Sequence, residues 1–401
     1  MAAGPHDAGV ESLATDQART EAALQPIPVF DLKFDADDLT AVAETLRSGW
    51  LTMGPRTAEF EDAYAAHLGA KHAVAVSSCT SALHLAYLAA GVGPGDEVIV
   101  PSFTFVATAA AVRYTGATPV FADILGYENP SLDAADVERK LTERTKAVCL
   151  VHFGGYAARV DEIAELCAKH GVRLIEDCAH VPSASLRGKK LGTFGLAGAF
   201  SFFSNKVLAV GEGGVVVTDD DEVAEFARSR RSHAMTAGTW QKHTKHSAGY
   251  DVEGLGFNYR IDEPRSALLL SRLAKLGRDI ERRQELTRRY RDGLRDVAGI
   301  SIPFRDEDVA ESCCYVMALF VDEPELRDPF RRALLDRHAI QTSVFYPSIH
   351  HFSAYRDLAG GTSLPRTELA SRTEVTLPLF GHMTDEQVDR VVEAIRAEVQ
   401  T

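Results

Sequence analysis

The sequence has no paired cysteines, no excess of basic charge and no long apolar run, and each absence excludes a class of protein. None of its six cysteines forms a Cys-x-x-Cys pair, so neither a disulfide framework nor a metal site is predicted. Acidic residues outnumber basic ones by 57 to 43, and the net charge of −14 disfavours nucleic acid and anionic membranes as partners. No apolar run reaches the ~20 residues that span a bilayer. Residues 1–25 show no secretory signal, and the expected location is the cytoplasm.

What the sequence does contain is the composition of a globular enzyme. Its 401 residues are 45% hydrophobic and 25% charged, which allows two or three domains with a sizeable core. We predict a disordered tail over residues 1–25 and a large α/β domain over residues 26–280 that begins with a helix at 37–48. A small C-terminal α/β domain is expected over residues 281–401.

Short apolar runs alternate with helical patterns through the large domain. Strands are predicted at 73–76, 98–101, 119–122, 147–152, 172–176, 197–203 and 214–218. This alternation favours an open, mainly parallel sheet flanked by helices. Asp37 is the expected cap of the first helix.

The second half of the chain continues with mixed patterns. One long helix is predicted from Asp262 onward, with apolar residues at helical spacing as far as Ile280. Its arginines, such as Arg282, Arg283, Arg288 and Arg289, are interpreted as a solvated face. A strand is expected near residues 342–346.

Polar residues at the ends of three predicted strands could carry chemistry. Thr80 and Ser81 lie in a polar turn before a helix, where backbone N–H groups can bind a phosphate; an ordinary helix cap is the alternative. Asp177 ends an apolar strand and could pair with a protonated ring nitrogen, or cap a helix. Lys206 follows an apolar strand, where desolvation favours an imine-forming nucleophile; a surface lysine is the alternative.

Together these three features match what pyridoxal 5'-phosphate (PLP) requires. The cofactor needs a phosphate anchor, an acid at its ring nitrogen and a lysine for the Schiff base. An aromatic side chain usually stacks on the ring, and Phe105 is placed to do so. The conjunction is a stronger signal than any one feature.

The sequence resembles the DegT/DnrJ/EryC1/StrS sugar aminotransferases, within fold type I of the PLP-dependent enzymes. The resemblance extends from about residue 28 to residue 398, through the motifs at 48–55, 93–105, 175–180, 200–206 and 256–260 and through Tyr346, Pro347 and His350. It implies an α/β fold type I PLP-dependent transferase, with a mainly parallel sheet in the large domain and a smaller C-terminal α/β domain.

The resemblance also implies the residues of the site. The implied cofactor-binding residues are Thr80, Ser81, Phe105, Asp177, His180, Ser201, Lys206 and Asn258. Lys206 and Asp177 are the implied catalytic residues, although many members have Gln at the position of His180. Asn258 would serve the partner's site in a homodimer. The implied substrate-binding residues are Arg260, Tyr346 and His350.

The implied reaction moves an amino group from L-glutamate to a nucleotide-linked keto sugar, for a secondary metabolite or a surface glycan. The stretch at 49–55 resembles members that aminate the fourth carbon of a 4-keto-6-deoxyhexose. Amination at the third carbon, or of a keto-cyclitol, remains an alternative. A non-catalytic regulatory relative is more remote because Lys206 is present, and a dinucleotide oxidoreductase is disfavoured because no Gly-x-Gly-x-x-Gly turn follows the first strand.

Overall fold

The structure is a computed structural model that describes residues 24–236 and 250–399. The predicted disordered tail therefore lies, apart from its last two residues, outside the described residues. The helices are α1 (Ala36–Ser48), α2 (Pro55–Leu68), α3 (Cys79–Ala89), α4 (Ala107–Tyr114), α5 (Ala134–Lys140), α6 (Val160–His170), α7 (Asp221–Arg230), α8 (Glu263–Leu273), α9 (Leu276–Leu294), α10 (Arg327–His338), α11 (Arg356–Ala359), α12 (Pro365–Thr373) and α13 (Asp385–Val399). In the described part of the chain, no helix is long and apolar enough to cross a membrane.

Twelve strands are described, and their bounds agree closely with the predicted ones in the large domain. They are β1 (His72–Val76), β2 (Glu97–Pro101), β3 (Thr118–Ala122), β4 (Thr145–Val151), β5 (Arg173–Asp177), β6 (Ser185–Leu186), β7 (Lys189–Lys190), β8 (Ala197–Ser201), β9 (Gly214–Thr218), β10 (Ile300–Ser301), β11 (Met317–Val321) and β12 (Glu374–Leu377).

Seven of these strands form one large sheet in the order β1-β9-β8-β5-β4-β2-β3. The neighbours are parallel except that β9 runs antiparallel to both β1 and β8. A buried apolar core lies on each side of the sheet. This mainly parallel sheet with helices on both faces confirms the predicted fold class.

A smaller antiparallel sheet follows, in the order β10-β11-β12. Helices α10 and α13 pack together beside it, and α13 also packs against α9. The predicted domain boundary between residues 280 and 281 falls inside α9. The division of the chain at that point stays a prediction.

Two predictions about helix ends are wrong. Asp35 caps α1 rather than Asp37, because the Asp35 carboxylate accepts the N–H of Asp37, which lies in the first turn. The long helix predicted from Asp262 is divided into α8 and α9. Lys275 lies between them, and its Nζ is 2.6 Å from the cap residue Asp35 and 3.0 Å from Asp38 of α1.

The interpretation of Arg283 as part of a solvated face is also wrong. Arg283 is buried, and its Nη1 donates to the main-chain oxygens of Tyr315 at 3.3 Å and Leu379 at 3.2 Å. Arg282 does reach the surface and pairs with Asp385 at 2.7 Å. A helical pattern gives no indication that one arginine binds carbonyl groups from distant segments.

The strand expected near residues 342–346 is replaced, among the described residues, by a single bridge between Ser343 and Thr376. The N–H of Phe345 donates to the Glu374 side chain at 2.6 Å instead of to a neighbouring strand. The neighbour of β11 in the small sheet is β12 rather than a strand at 342–346.

Candidate active site

Strand β5 brings Asp177 to the carboxyl edge of the large sheet. Because side chains alternate along a strand, Asp177 faces α3 and α4 while Glu176 faces the opposite core. One Asp177 oxygen accepts a 2.7 Å hydrogen bond from the Thr108 hydroxyl, and the other accepts the Ala179 N–H at 3.1 Å. The side chain is buried, which raises the pKa of Asp177. Among the described residues, no basic side chain forms an ion pair with this carboxylate.

Lys206 lies in the loop between β8 and β9, near the same edge of the sheet. Its Nζ donates to the Tyr315 hydroxyl at 3.2 Å and lies 4.4 Å from the centre of the Tyr315 ring. Burial lowers the pKa of Lys206 to about 8, although the nearby Asp177 charge opposes this shift. A much larger fraction of this amine is therefore neutral near pH 7 than in an ordinary lysine.

A turn suited to a phosphate begins α3. The Ser78 hydroxyl accepts the N–H of Ser81 at 3.1 Å, while the first amides of the helix, including that of Thr80, have no acceptor within the helix. A Cβ on Gly214 would lie 2.4 Å from the Ser78 main chain, so glycine is needed for β9 to pass this close. Ser201 is paired with Gly214 and therefore lies beside the turn.

Aromatic side chains form one wall of the site. The His180 Nδ1 accepts the Gly154 N–H at 3.2 Å, and Nε2 lies 2.9 Å from the Tyr346 hydroxyl. Burial, with a contribution from Lys206, lowers the pKa of His180 well below its usual value, so the ring is neutral and its Nε2–H donates to Tyr346. The Tyr346 ring lies 6.0 Å from that of Phe105, which is 58% exposed.

Three predicted residues lie away from this cluster. Nδ1 of His350 lies 2.7 Å from the Ser102 hydroxyl, and its Nε2 lies 3.4 Å from Glu368 of α12. Arg260 donates to the Ser232 hydroxyl at 3.2 Å and lines a separate cavity of about 530 Å³. Asn258 is exposed and lies opposite Ser232. Among the described residues, none of the three contacts Lys206, so their roles stay predictions.

Sequence reasoning missed Thr108 and Tyr315. Thr108 lies in the first turn of α4, three residues after Phe105, and a hydroxyl at that position was a usable signal. Tyr315 reaches Lys206 from a segment 109 residues further along the chain, so no local pattern indicates it.

The residues of this site fit PLP. Within residues 24–236 and 250–399, the buried Asp177 carboxylate has no ion-pair partner, and a protonated ring nitrogen would supply one. The open amides at the start of α3 suit the cofactor phosphate, and the lowered pKa of Lys206 suits a lysine that binds the cofactor aldehyde. Fold and site thus define the class of lysine-anchored PLP enzymes.

The chain belongs to the DegT/DnrJ/EryC1/StrS aminotransferase family, whose sequence profile matches residues 33–396. It is an aminotransferase, and PLP is its cofactor. The predicted family is confirmed. The sequence is 39% identical over 378 residues to the dTDP-3-amino-3,4,6-trideoxy-alpha-D-glucose transaminase of Streptomyces venezuelae, covering 92% of this chain and 95% of that protein.

Solved structures agree with this assignment. The aminotransferase TlmJ from Streptoalloteichus hindustanus superposes with a TM-score of 0.86 at 36% identity, covering 94% of this chain and 99% of that one. Spr1654 from Streptococcus pneumoniae in its PLP form superposes with a TM-score of 0.87 at 26% identity, covering 94% and 99%.

Proposed function

We propose that the protein transfers an amino group from L-glutamate to a nucleotide-linked keto sugar. The observation that carries the proposal is the buried Asp177, which forms no ion pair with the described residues, near a Lys206 whose pKa is lowered to about 8. The Streptomyces venezuelae relative, named for a dTDP-linked amino sugar, supports a sugar nucleotide as the acceptor.

Bound PLP supplies an electron sink that stabilises negative charge at the substrate carbon that loses a proton. Lys206 accepts that proton at Nζ and returns it to a different carbon, which requires a neutral amine at the start of the step. The Tyr315 hydroxyl and ring hold Nζ in place. Asp177, oriented by Thr108 and Ala179, keeps the ring nitrogen protonated.

The aromatic wall supports this chemistry by positioning and by excluding water. Neutral His180 holds the Tyr346 hydroxyl, and Tyr346 in turn borders Phe105. In this proposal Phe105 covers the cofactor ring, His180 lies beside the ring hydroxyl, and Ser201 adds a phosphate contact. Where the wall excludes water, the electrostatic attraction between Asp177 and the ring nitrogen becomes stronger.

We propose that the active unit is a homodimer in which Asn258 and Arg260 serve the partner's site. Asn258 is exposed, and neither residue contacts Lys206 of its own chain among the described residues. The exposure of Phe105 in the single chain also agrees with a site that a second chain completes.

The acceptor carbon is proposed from the stretch at 49–55. The end of this stretch is fixed to the start of α2, because the buried Glu263 carboxylate accepts the N–H of Gly54 at 2.7 Å together with those of Arg56 at 2.8 Å and Thr57 at 2.9 Å in α2. The stretch favours the fourth carbon of a 4-keto-6-deoxyhexose. The Streptomyces venezuelae relative is named for a 3-amino sugar and favours the third carbon as the second candidate.

The test is a transamination assay with L-glutamate and three acceptors: a dTDP-4-keto-6-deoxyhexose, its 3-keto isomer and a keto-inositol. We expect a dTDP-linked 4-amino sugar, identified by mass spectrometry and NMR, and none with Lys206→Ala. Amination of the 3-keto sugar alone would assign the third carbon. Amination of the keto-inositol alone, or of no acceptor, would contradict the proposal.

A further inference from the structure

A second group of polar side chains lies outside the candidate active site, where the short helical turn Ile349–His351 meets α12. His350, His351 and Glu368 each place one potential ligand atom within 4.8 Å of the others. His350 is buried, Glu368 is partly buried and His351 is exposed. The group therefore has a fixed inner side and access to solvent.

The spacing between His350 and Glu368 suits a shared metal ion. Nε2 of His350 lies 3.4 Å from Oε1 of Glu368. This distance is longer than a typical N–H···O hydrogen bond of about 2.9–3.0 Å. It matches the edge of a tetrahedron, about 3.3–3.4 Å, whose corners lie ~2.0–2.1 Å from a zinc ion.

His350 and Glu368 are each oriented by a further hydrogen bond, as metal ligands commonly are. Nδ1 of His350 lies 2.7 Å from the Ser102 hydroxyl, which leaves Nε2 facing Glu368. The same Glu368 oxygen, Oε1, accepts the N–H of Leu364 at 2.9 Å, which holds that oxygen in place. The His351 ring lies 4.0 Å from that of His350, and its side chain is exposed to solvent.

A second cluster, His152, Glu176 and Cys178, shows what a structural group of the same residue types looks like. The oxygens of Glu176 accept three main-chain N–H groups at 2.7–2.8 Å, and His152 lies 3.1 Å away. All three side chains are buried. Both Glu176 oxygens are thus hydrogen-bonded to the fold, and Nδ1 of His152 accepts the N–H of Ala158 at 3.2 Å, so these two side chains serve the structure.

We propose that His350, His351 and Glu368 bind one divalent transition-metal ion, with zinc the best match and water as the fourth ligand. Two imidazoles and one carboxylate are a ligand set that zinc prefers. The ion would tie Ile349–His351 to α12, close in the chain to Tyr346 of the aromatic wall. The role is structural, and the site is separate from Lys206.

The test uses the purified holoenzyme after removal of bound metal with a chelator. Calorimetric titration with ZnCl2 should give one site per chain, and Co²⁺ should give the visible absorption of a tetrahedral site. His351→Ala and Glu368→Gln should each weaken Zn²⁺ binding by about 10-fold or more. His170→Ala is the matched control, because His170 lies 3.5 Å from Glu138 with no second imidazole in that group, and it should bind zinc as the wild type does.

Glu368 also bonds to Leu364, so Glu368→Gln changes more than metal binding, and the exposed His351 gives the decisive variant. Zn²⁺ should raise the Tm of the wild type and leave the Tm of His351→Ala unchanged. Equal Zn²⁺ affinity in the wild type and His351→Ala would overturn the proposal, as would the absence of a stoichiometric site. Either result would leave His350 and Glu368 as a hydrogen-bonded pair.

Discussion

Glu176 and Asp177 are adjacent acids on one strand, yet their carboxylates face opposite cores and differ in their hydrogen-bond partners. Both are buried, with 0% and 4% of their surface exposed. Glu176 faces one core, where three main-chain N–H groups and His152 use its oxygens. Asp177 faces the other core, where it receives one hydroxyl, from Thr108, and one N–H, from Ala179.

The difference teaches how to separate a structural acid from a functional one. A buried carboxylate is stable only when its charge is compensated. Glu176 is compensated by the fold itself, and it fixes the chain after β7. Asp177 is compensated incompletely, and burial raises its pKa. In the proposed function, a protonated ring nitrogen would complete its environment.

The largest expected effect on kcat comes from replacing Lys206, which is not one of these two acids but lies near Asp177. Lys206→Ala should lower kcat by about 10⁴-fold or more, because among the described residues no other amine is placed to move the proton. The variant should still bind PLP without a covalent bond. Steady-state kinetics and gel filtration with bound cofactor measure both. A kcat near that of the wild type would show that a different residue carries the proton.

The next effect separates the two acids directly. Asp177→Asn should lower kcat by about 10²–10³-fold and weaken cofactor retention, because the ring nitrogen loses its counter-charge. Its thermal stability without cofactor should change little or increase, since a buried, incompletely compensated charge is removed. Single-turnover kinetics and the melting curve of the cofactor-free enzyme are the measurements. Undiminished turnover would remove Asp177 from the mechanism.

A smaller effect is expected from pH, through Lys206. Its folded-state pKa of about 8 is below the ordinary 10.5, so the reactive neutral amine forms as the pH rises through 8. The rate at which cofactor-free enzyme binds PLP covalently should increase with pH and reach half its maximum near pH 8. Stopped-flow absorbance measures this rate. A midpoint near the ordinary lysine value would contradict the effect of burial.

The smallest effect on chemistry should come from Glu176→Gln, the control for Asp177→Asn. We expect the folded enzyme to keep its kcat within about 2-fold, while the free energy of unfolding falls by about 2–4 kcal/mol as charged hydrogen bonds are lost. Denaturant unfolding and active-site titration separate the two quantities. A kcat as low as that of Asp177→Asn would erase the distinction between the acids.

The sequence predicted the strands of the large sheet well, because short apolar runs alternate there with amphipathic helices. Asp177, Lys206 and Thr80 could be found because each follows a strand at the carboxyl edge of a parallel sheet. Tyr315 could not, since a residue that arrives from a distant segment leaves no local pattern.

The second half of the chain was harder to predict for a related reason. Arg283 and Glu374 are buried polar residues whose partners are main-chain groups from other segments. A hydropathy pattern therefore predicted Arg283 at the surface and a strand at 342–346, where Phe345 bonds to Glu374 instead. The proposed metal ligands also escaped prediction, because His350 and Glu368 follow no known metal-binding spacing and meet only after folding.

The most direct test of the account is the absorbance spectrum of holoenzyme before and after adding L-glutamate, recorded for the wild type, Asp177→Asn and Glu176→Gln. We predict that glutamate converts the visible band of the Lys206-bound cofactor to the pyridoxamine form in the wild type and in Glu176→Gln, but far more slowly in Asp177→Asn. A wild-type band that glutamate leaves unchanged, or equal conversion in the two variants, would contradict the account.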